Sequence, residues 1–517
     1  MRDDHHDGED NDYVRVDTHN NEKSSRSSGL DLAHRQPEGL EVDALASWQR
    51  QMLEDPKNQL ALAALSTADP KTVLMSRAAK ISDQHVFNVR IPFEGAPITN
   101  QRRSGRCWLF ASTNTFRVAL MKRYNLDSFE LSQAYLFFWD KLEKANYFLE
   151  NIIQTADQDL EGRLVQRLLQ DPVSDGGQWD MAYNLIFKYG VCPQALYPDS
   201  FNAMSSSSLN YIVVAKLREY AITLRNIINN NNDKHESAKN STASLLADAK
   251  AKMMREIQLI LTVTLGPPPS STDKFVWEYL DKDQKPHTLH ATPLEFARDI
   301  WSPGYRVASA ETIASLVSLV HDPRHEPLTL MTVDRLGNIV GGRGVTYINV
   351  SMADLKQACV ATLRAGIPIF FGSDVGKFSN TAAGIMDLDL IDYRLGFNTD
   401  ILGPSSSSSS SNSSRRESAA LSKADRLRTG ESAMTHAMVL TAVHVDEESG
   451  RPVRWRVQNS WGEDVGEKGW FVMSDAWMEE FVYQAVVHPK FLSREVRDVL
   501  KKEPVVLPLW DPMGALA

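Results

Sequence analysis

Apolar positions along this chain change period several times, and each change marks an element. From Leu40, the residues Val42, Leu45, Trp48 and Leu53 fall on one helical face closed by Asp55-Pro56, and residues 60–66 read as a second short helix. Val86 to Pro92 alternates apolar with polar, which predicts a strand. The helical period returns at Phe110, Ala111, Val118 and Met121, and again after Ser132, a predicted N-cap, in L-S-Q-A-Y-L-F-F-W-D-K-L-E-K. Between Leu209 and Leu265 there are two amphipathic stripes. Leu209, Val213, Leu217, Tyr220, Leu224 and Ile227 form one; Leu246, Met253, Ile257, Ile260 and Leu261 form the other. An Asn-rich joint between them predicts a helical hairpin, which G-P-P-P at 266–269 ends. From Leu328 to Val350 short alternating runs, broken at Gly337–Asn338 and Gly341–Gly342, predict hairpins. Residues 354–365 read as a helix, I-P-I-F-F-G-S-D-V-G as a buried strand, and 421–427 as helical again. Three alternating runs, 437–445, 452–458 and 469–473, predict a barrel-like sheet near the end of the chain.

Composition narrows the class. With 517 residues, 42% hydrophobic and 24% charged, the chain has a globular composition and length for two to four domain-sized units. A net charge of −10 argues against a general nucleic-acid binder, whose phosphate contacts need clustered Lys and Arg; a local basic patch stays open. No apolar run approaches the roughly 20 residues that span a bilayer. Three cysteines make no disulfide framework, which points to a reducing compartment, and Cys192 and Cys359 read as core residues. Residues 1–38 are acidic and polar and read as a disordered tail. His5 and His6 there have no further ligand at metal-site spacing, so no metal and no cofactor is expected. The start M-R-D-D-H-H-D-G-E-D lacks both a secretory apolar core and an Arg-rich, acid-poor bias, so the expected location is cytoplasmic, with a mitochondrial pool left open. The tract Ser405 to Ser414 has no apolar side chain to offset its ordering entropy, and 404–418 reads as a mobile surface loop.

The candidate chemistry starts at Thr99–Ala111, T-N-Q-R-R-S-G-R-C-W-L-F-A, where turn residues give way to a helical period at Cys107. A helix N-terminus and a cationic neighbour lower a thiol pKa from about 8.5 into roughly the 3.5–7.5 range, and the thiolate is the nucleophile. Gln101 is placed to offer its amide to an oxyanion. A lone cysteine in a helix is also an ordinary small core residue. The reading turns on partners: a base and a residue that orients it. His436 lies in G-E-S-A-M-T-H-A-M, at the head of a strand-like run, and Asn459 in W-R-V-Q-N-S-W-G closes the next. They are 23 positions apart, enough for two adjacent strands. The asparagine would fix the imidazole, and Trp461 would keep water off that bond.

The chain order Gln101, Cys107, His436, Asn459 resembles the papain-like cysteine peptidases. With G-G-Q-W-D-M, H-D-P-R-H, G-I-M-D and the terminal L-P-L-W-D-P-M-G-A-L-A, the likeness is to their bleomycin hydrolase family, from about Leu40 to Ala517. Two departures from the secreted members stand out. Ser104 occupies the place of their extra cysteine, and 329 positions separate Cys107 from His436 against roughly 130–150 in smaller relatives. The resemblance implies an α+β, papain-like two-lobed fold: a helical lobe with the cysteine, an antiparallel barrel-like lobe with His and Asn, and a helical insertion. The corresponding segments are 39–204 for the helical lobe, 205–325 for the insertion and return, 326–503 for the β-rich lobe, and 504–517 for a tail in the cleft. It further implies peptide and small amide substrates, no cofactor, and a homohexamer built through the insertion. Substrate contacts would come from Gly176, Gly177, Trp461 and the carboxylate of Ala517. On local evidence alone the glycine pair is as well a tight turn, and the tail as well a surface strap. Two rival functions are an inactive scaffold or nucleic-acid binder on the same fold, disfavoured by the intact quartet and the acidic balance, and a transglutaminase-like acyltransferase, disfavoured by asparagine in the third position.

Overall fold

The structure, a computed structural model, describes residues 39–230, 236–298, 315–402 and 420–516. The expectations for 1–38, for the Ser-rich loop 404–418 and for Ala517 lie outside the described residues. The chain divides into two compact units, residues 1–62 and 63–517. The first unit carries the helix Val42–Glu54 and most of the helix Pro56–Leu65. None of their residues is buried, so the apolar face read at Val42, Leu45, Trp48 and Leu53 is exposed.

In the second unit, helices gather N-terminal and strands C-terminal, which is the α+β arrangement expected. The helical part is built on Cys107–Arg123, Gln133–Gln154 and Trp179–Tyr189. Ser132 caps the second of these by accepting from the Tyr135 N–H, as its position predicts. The strands are β1 (Val89–Arg90), β2 (Phe275–Leu280), β3 (Pro286–Ala291), β4 (Val317–Val320), β5 (Thr329–Val333), β6 (Thr346–Asn349), β7 (Ile369–Ser373), β8 (Ser379–Asn380), β9 (Ile385–Met386), β10 (His436–Val445), β11 (Pro452–Gln458), β12 (Trp470–Ser474), β13 (Val482–Val487) and β14 (Val505–Leu507). Apart from the separate hairpin β2–β3, they form one mostly antiparallel sheet in the order β14-β5-β6-β4-β13-β7-β10-β11-β12-β9-β8, with β1 also on β10. The strand read over Val86–Pro92 shrinks to Val89–Arg90, because the neighbouring residues leave the β10 ladder. The two hairpins read over 328–350 are a single antiparallel pair, β5 with β6. The domain boundary at 325 cuts through the sheet, since β4 sits between β6 and β13. The segment assigned to the tail begins as an edge strand, with Val505–Leu507 parallel to β5.

Among the described residues of this unit, beside a small cluster around Leu74, Leu390 and Val472, lie two large cores. One joins the helical part to part of the sheet, through Leu109, Phe116, Leu149, Trp179, Phe370 and Val439. The other contains Leu355, Phe371, Leu440, Trp455 and Phe481. The helical hairpin is present as Ser207–Asn229 and Glu236–Leu265, and its stripes name the buried residues well: Leu209, Val213, Leu217, Tyr220 and Leu224 on one helix, Met253, Ile257 and Leu261 on the other. Both helices pack on Gln133–Gln154 of the same chain. At about 1.5–3 kcal/mol per large apolar side chain covered, that packing is ample reason for the hairpin to fold back on its own lobe. The stripes are thus satisfied within the chain and are not the surface a second subunit would use. Across the two parts, Asn338 donates to Asp140 (3.0 Å) and to the Met181 carbonyl (3.1 Å), so a loop of the sheet is fastened to two helices.

Candidate active site

Cys107 is the first residue of the helix Cys107–Arg123. That helix packs against β10 and β7, where the long insertion between the halves has been spanned by the fold. His436 is the first residue of β10 and Asn459 follows the last residue of β11. The ladder pairs Val439 with Gln458, so one step on Asn459 comes level with Met438. His436 lies two residues from Met438 and projects to the same face. The side chains meet there: His436 Nε2 is 2.9 Å from Asn459 Oδ1, and both residues are buried. The amide oxygen accepts, so Nε2 carries the proton and Nδ1 is the basic nitrogen. Trp461 lies against the imidazole, ring centres 4.8 Å apart and planes at 32°. The next residue of β10, Ala437, turns its backbone N–H toward the Cys107 sulfur.

Gln101 is held on both ends. Its Nε2 donates to the Ser104 carbonyl (2.7 Å), and its Oε1 accepts from the Ser460 hydroxyl (2.7 Å). Its backbone N–H donates to the Ser460 carbonyl (2.8 Å), and Gly462 N–H donates to the Thr99 carbonyl (3.0 Å). The segment 99–101 is therefore zipped to 460–462, which carries the loop after Asn459. Gly462 has φ +81°, and a Cβ there would lie 2.4 Å from Asn100 Nδ2. Ser460 was not singled out from the sequence; a hydroxyl in a turn gives no periodic sign of a partner 359 positions away.

The glycine pair lies beside the nucleophile helix. A Cβ on Gly177 would stand 2.5 Å from the Trp108 indole, so only glycine lets this loop close on Trp108. The Gly176 carbonyl is already taken by Lys144 Nζ (2.6 Å), which leaves Gly177 as the member of the pair with free backbone. Next to it, Gln178 Nε2 donates to the carbonyl of Ala515 (2.8 Å), so the chain end reaches the glycine loop. The end is anchored further back by Arg324, whose Nη2 and Nη1 reach Asp511 at 2.7 and 3.3 Å, and by the Tyr347 hydroxyl on the Met513 carbonyl (3.2 Å). Among the described residues no group of three or more His, Cys, Asp or Glu is arranged to hold a metal ion, and no helix is long and apolar enough to cross a membrane.

The model of the peptidase C1-like family matches residues 39–514. The chain belongs to that family. It is 41% identical over 490 residues to "Cysteine proteinase 1, mitochondrial" of Saccharomyces cerevisiae, covering 93% of this chain and 94% of the relative. It is 40% identical to bleomycin hydrolase of Homo sapiens over 485 residues, covering 93% and 99%. The crystal structure of PepW from Lactobacillus rhamnosis HN001 superposes with a TM-score of 0.82 at 38% identity, covering 93% of this chain and 99% of that one. This member of the peptidase C1-like family is a cysteine aminopeptidase of the bleomycin hydrolase type.

For a peptidase of this family the ionisation of the site runs against the sequence expectation. Burial pushes the Cys107 thiol up to about 11, although the N–H groups of Cys107, Trp108 and Ala437 pull the other way. The cationic neighbour is turned aside: Arg106 is fully buried, paired with Asp199 at 2.7 Å and lying over Phe110 and Phe137. Burial likewise takes His436 down to about 4, opposed by its bond to Asn459. Each group alone is held neutral. Transfer of the thiol proton to an imidazole beside it would instead create two charges together, attracting across a poorly solvated gap. If the imidazole is that acceptor, His436→Ala leaves the thiol with its burial-raised pKa of about 11 and predominantly protonated near neutrality. Alkylation of Cys107 by iodoacetamide at pH 7 is expected to fall about 100-fold or more relative to wild type, and to recover only as pH approaches 11. An unchanged rate near neutrality would show that the imidazole does not take the thiol proton.

Proposed function

We propose that Cys107 is the nucleophile, His436 the general base and acid, Asn459 the residue that orients it, and Gln101 the oxyanion donor. The observation that carries this is the buried His436–Asn459 bond formed at the strand ends beside the first turn of the Cys107 helix. Sγ attacks the carbonyl carbon of an amide as its proton passes to His436 Nδ1. Charge gathers on the carbonyl oxygen, toward the second N–H of Gln101 Nε2 and the backbone N–H of Cys107. Collapse breaks the C–N bond, and the imidazolium protonates the departing amine. Water, deprotonated by His436, then cleaves the thioester and returns the thiol. Cys107→Ala and His436→Ala are each expected to lose about 10,000-fold or more in kcat/KM on a free aminoacyl amide, Asn459→Ala only about 100-fold. Turnover retained in Cys107→Ala rules the scheme out.

The substrates we propose are the N-terminal residues of peptides, the carboxamide of bleomycin, after which the human relative is named, and homocysteine thiolactone. Gly177 backbone would bind the peptide main chain, with Trp461 contributing from the other wall. The restriction to one end is assigned to the chain terminus. Gln178 holding the Ala515 carbonyl, with Met513 and Gly514 buried, supports a tail that lies along the cleft and closes it beyond one residue. The carboxylate that would meet the substrate α-ammonium belongs to Ala517. Deleting Met513–Ala517 is expected to admit N-blocked peptides that the full chain refuses, and to move cleavage to internal bonds. If the shortened enzyme still cuts free peptides at the first bond and ignores blocked ones, the tail is not the gate.

A cytoplasmic location is proposed from three free, buried cysteines, which suit a reducing compartment. Assembly as a hexamer is proposed through the outer side of the helical hairpin. Its stripes are spent on the chain's own lobe, but Tyr211, Ile212 and Ile222 on one helix and Leu259 and Val263 on the other stay exposed. Sedimentation at micromolar concentration is expected to give a hexamer; a single species near 58 kDa rejects it.

A further inference from the structure

Behind the site lies a layer of buried charge that the proposed chemistry does not use. Asp175 immediately precedes the glycine pair. Its Oδ2 accepts from the backbone N–H of Gly105 (3.1 Å), two residues before Cys107, and from the Ser206 hydroxyl. Its Oδ1 accepts from Asn210 Nδ2 (2.8 Å) and from Lys141 Nζ (2.6 Å), and its backbone carbonyl accepts from the Trp108 indole (2.7 Å). Four donors on one carboxylate thus come from three separate places: the turn into the nucleophile helix, the helix Gln133–Gln154, and the foot of the helical hairpin. Gly105 is shaped to this contact, since a Cβ there would lie 2.8 Å from the Asp175 Cβ. The surrounding cations are fixed in turn. Lys141 is wholly buried and also donates to the Val173 carbonyl (2.5 Å). Lys144 pairs with Asp140 (2.7 Å) and donates to the Ser174 and Gly176 carbonyls (2.8 and 2.6 Å).

We propose that Asp175 is a positioning residue for the hydrolysis: its carboxylate holds the turn carrying Cys107 and the glycine loop in one register, and ties both to the foot of the helical hairpin. A carboxylate present only to neutralise Lys141 would need neither the Gly105 N–H nor two donors from the hairpin. All four contacts are directional, and the one from Gly105, with the Trp108 indole on the Asp175 carbonyl, joins the turn carrying Cys107 to the glycine loop. Misplacement of such segments by about 1 Å is enough to cost about 100-fold in rate. The donors hold Asp175 well below the ordinary carboxylate range, so it stays ionised throughout. Its charge also acts on the thiol, which it pushes upward against the pull of the Ala437, Trp108 and Cys107 backbone N–H groups.

This role rests on Cys107 being the nucleophile. In Asp175→Asn the expected kcat on an aminoacyl-coumarin amide is about 10- to 100-fold lower with KM within about twofold, counted per active site titrated. At the same time the pH profile of Cys107 alkylation by iodoacetamide is expected to move to lower pH, because a negative charge has been removed. A merely structural carboxylate would lower the melting temperature and leave kcat and the alkylation profile of the folded enzyme unchanged; that result overturns the proposal. Should Asp175→Asn fail to fold, the double variant Ser206→Ala, Asn210→Ala keeps Lys141 and Gly105 on the carboxylate and frees only the hairpin side. It is expected to lose about threefold or more in kcat, and an unchanged kcat overturns the proposal equally. Mass mapping of the label separates the two assignments. A label on another cysteine overturns the nucleophile and this role with it, whereas a label on Cys107 with unchanged kcat overturns the role of Asp175 alone.

Discussion

The approach of the helix beginning at Cys107 to the strand beginning at His436 is the contact on which the rest of the structure depends. Neither element makes a site alone. The helix supplies a sulfur with N–H groups around it, and the strand supplies an imidazole fixed by Asn459, with the Ala437 N–H reaching across to the sulfur. Placing two polar groups where burial is nearly complete is costly unless each has a partner, and here the partners are Asn459 for the imidazole and backbone N–H groups for the sulfur. That cost explains why so much of the surrounding structure serves to fix a seam and not to enlarge a core.

The seam is fastened in a graded way. Next to the reacting groups the links are short and neutral: Gln101 with Ser460, Gly462 with Thr99, Asn100 bridged to Trp461. Behind them come charged links in the dry interior, Lys141 with Asp175 and Lys144 with Asp140, where loss of one partner strands the other and costs about 3–5 kcal/mol. Farther out, Asn338 and Arg324 tie sheet loops to helices and to the chain end. The neutral inner layer leaves the field at the sulfur to be set mainly by desolvation, with Asp175 the charged group that adds to it.

Periodicity made the helices and the middle of the sheet legible. The two stripes of the hairpin named its buried residues because 3.6-residue spacing survives whatever the partner is, and β10, β11 and β12 were legible as apolar runs of strand length, alternating in β11 and continuous in the other two. What periodicity could not give was the partner. The hairpin's faces point to the chain's own helix, and the three-residue β14 and four-residue β4 are too short to carry a pattern, being strands only because neighbours complete them. The quartet Gln101, Cys107, His436 and Asn459 was read from residue type and order. Ser460 and the contacts of Asp175 were not, since their partners lie tens to hundreds of positions away along the chain. The direction of the thiol shift was missed for a related reason: a helix end is visible in sequence, whereas the number of atoms that will cover it is not.

The span between Cys107 and His436 has a consequence in time as well as in space. A chain emerges from its N-terminus, so the helix carrying the thiol is made long before β10 and the loop with Asn459. Throughout that interval the sulfur has no proton acceptor beside it. The base arrives with β10, yet it is aimed only when Asn459 and the segment 460–462 can zip onto 99–101. On the proposed roles, the thiol of the nascent chain therefore gains its base only after most of the chain has been made.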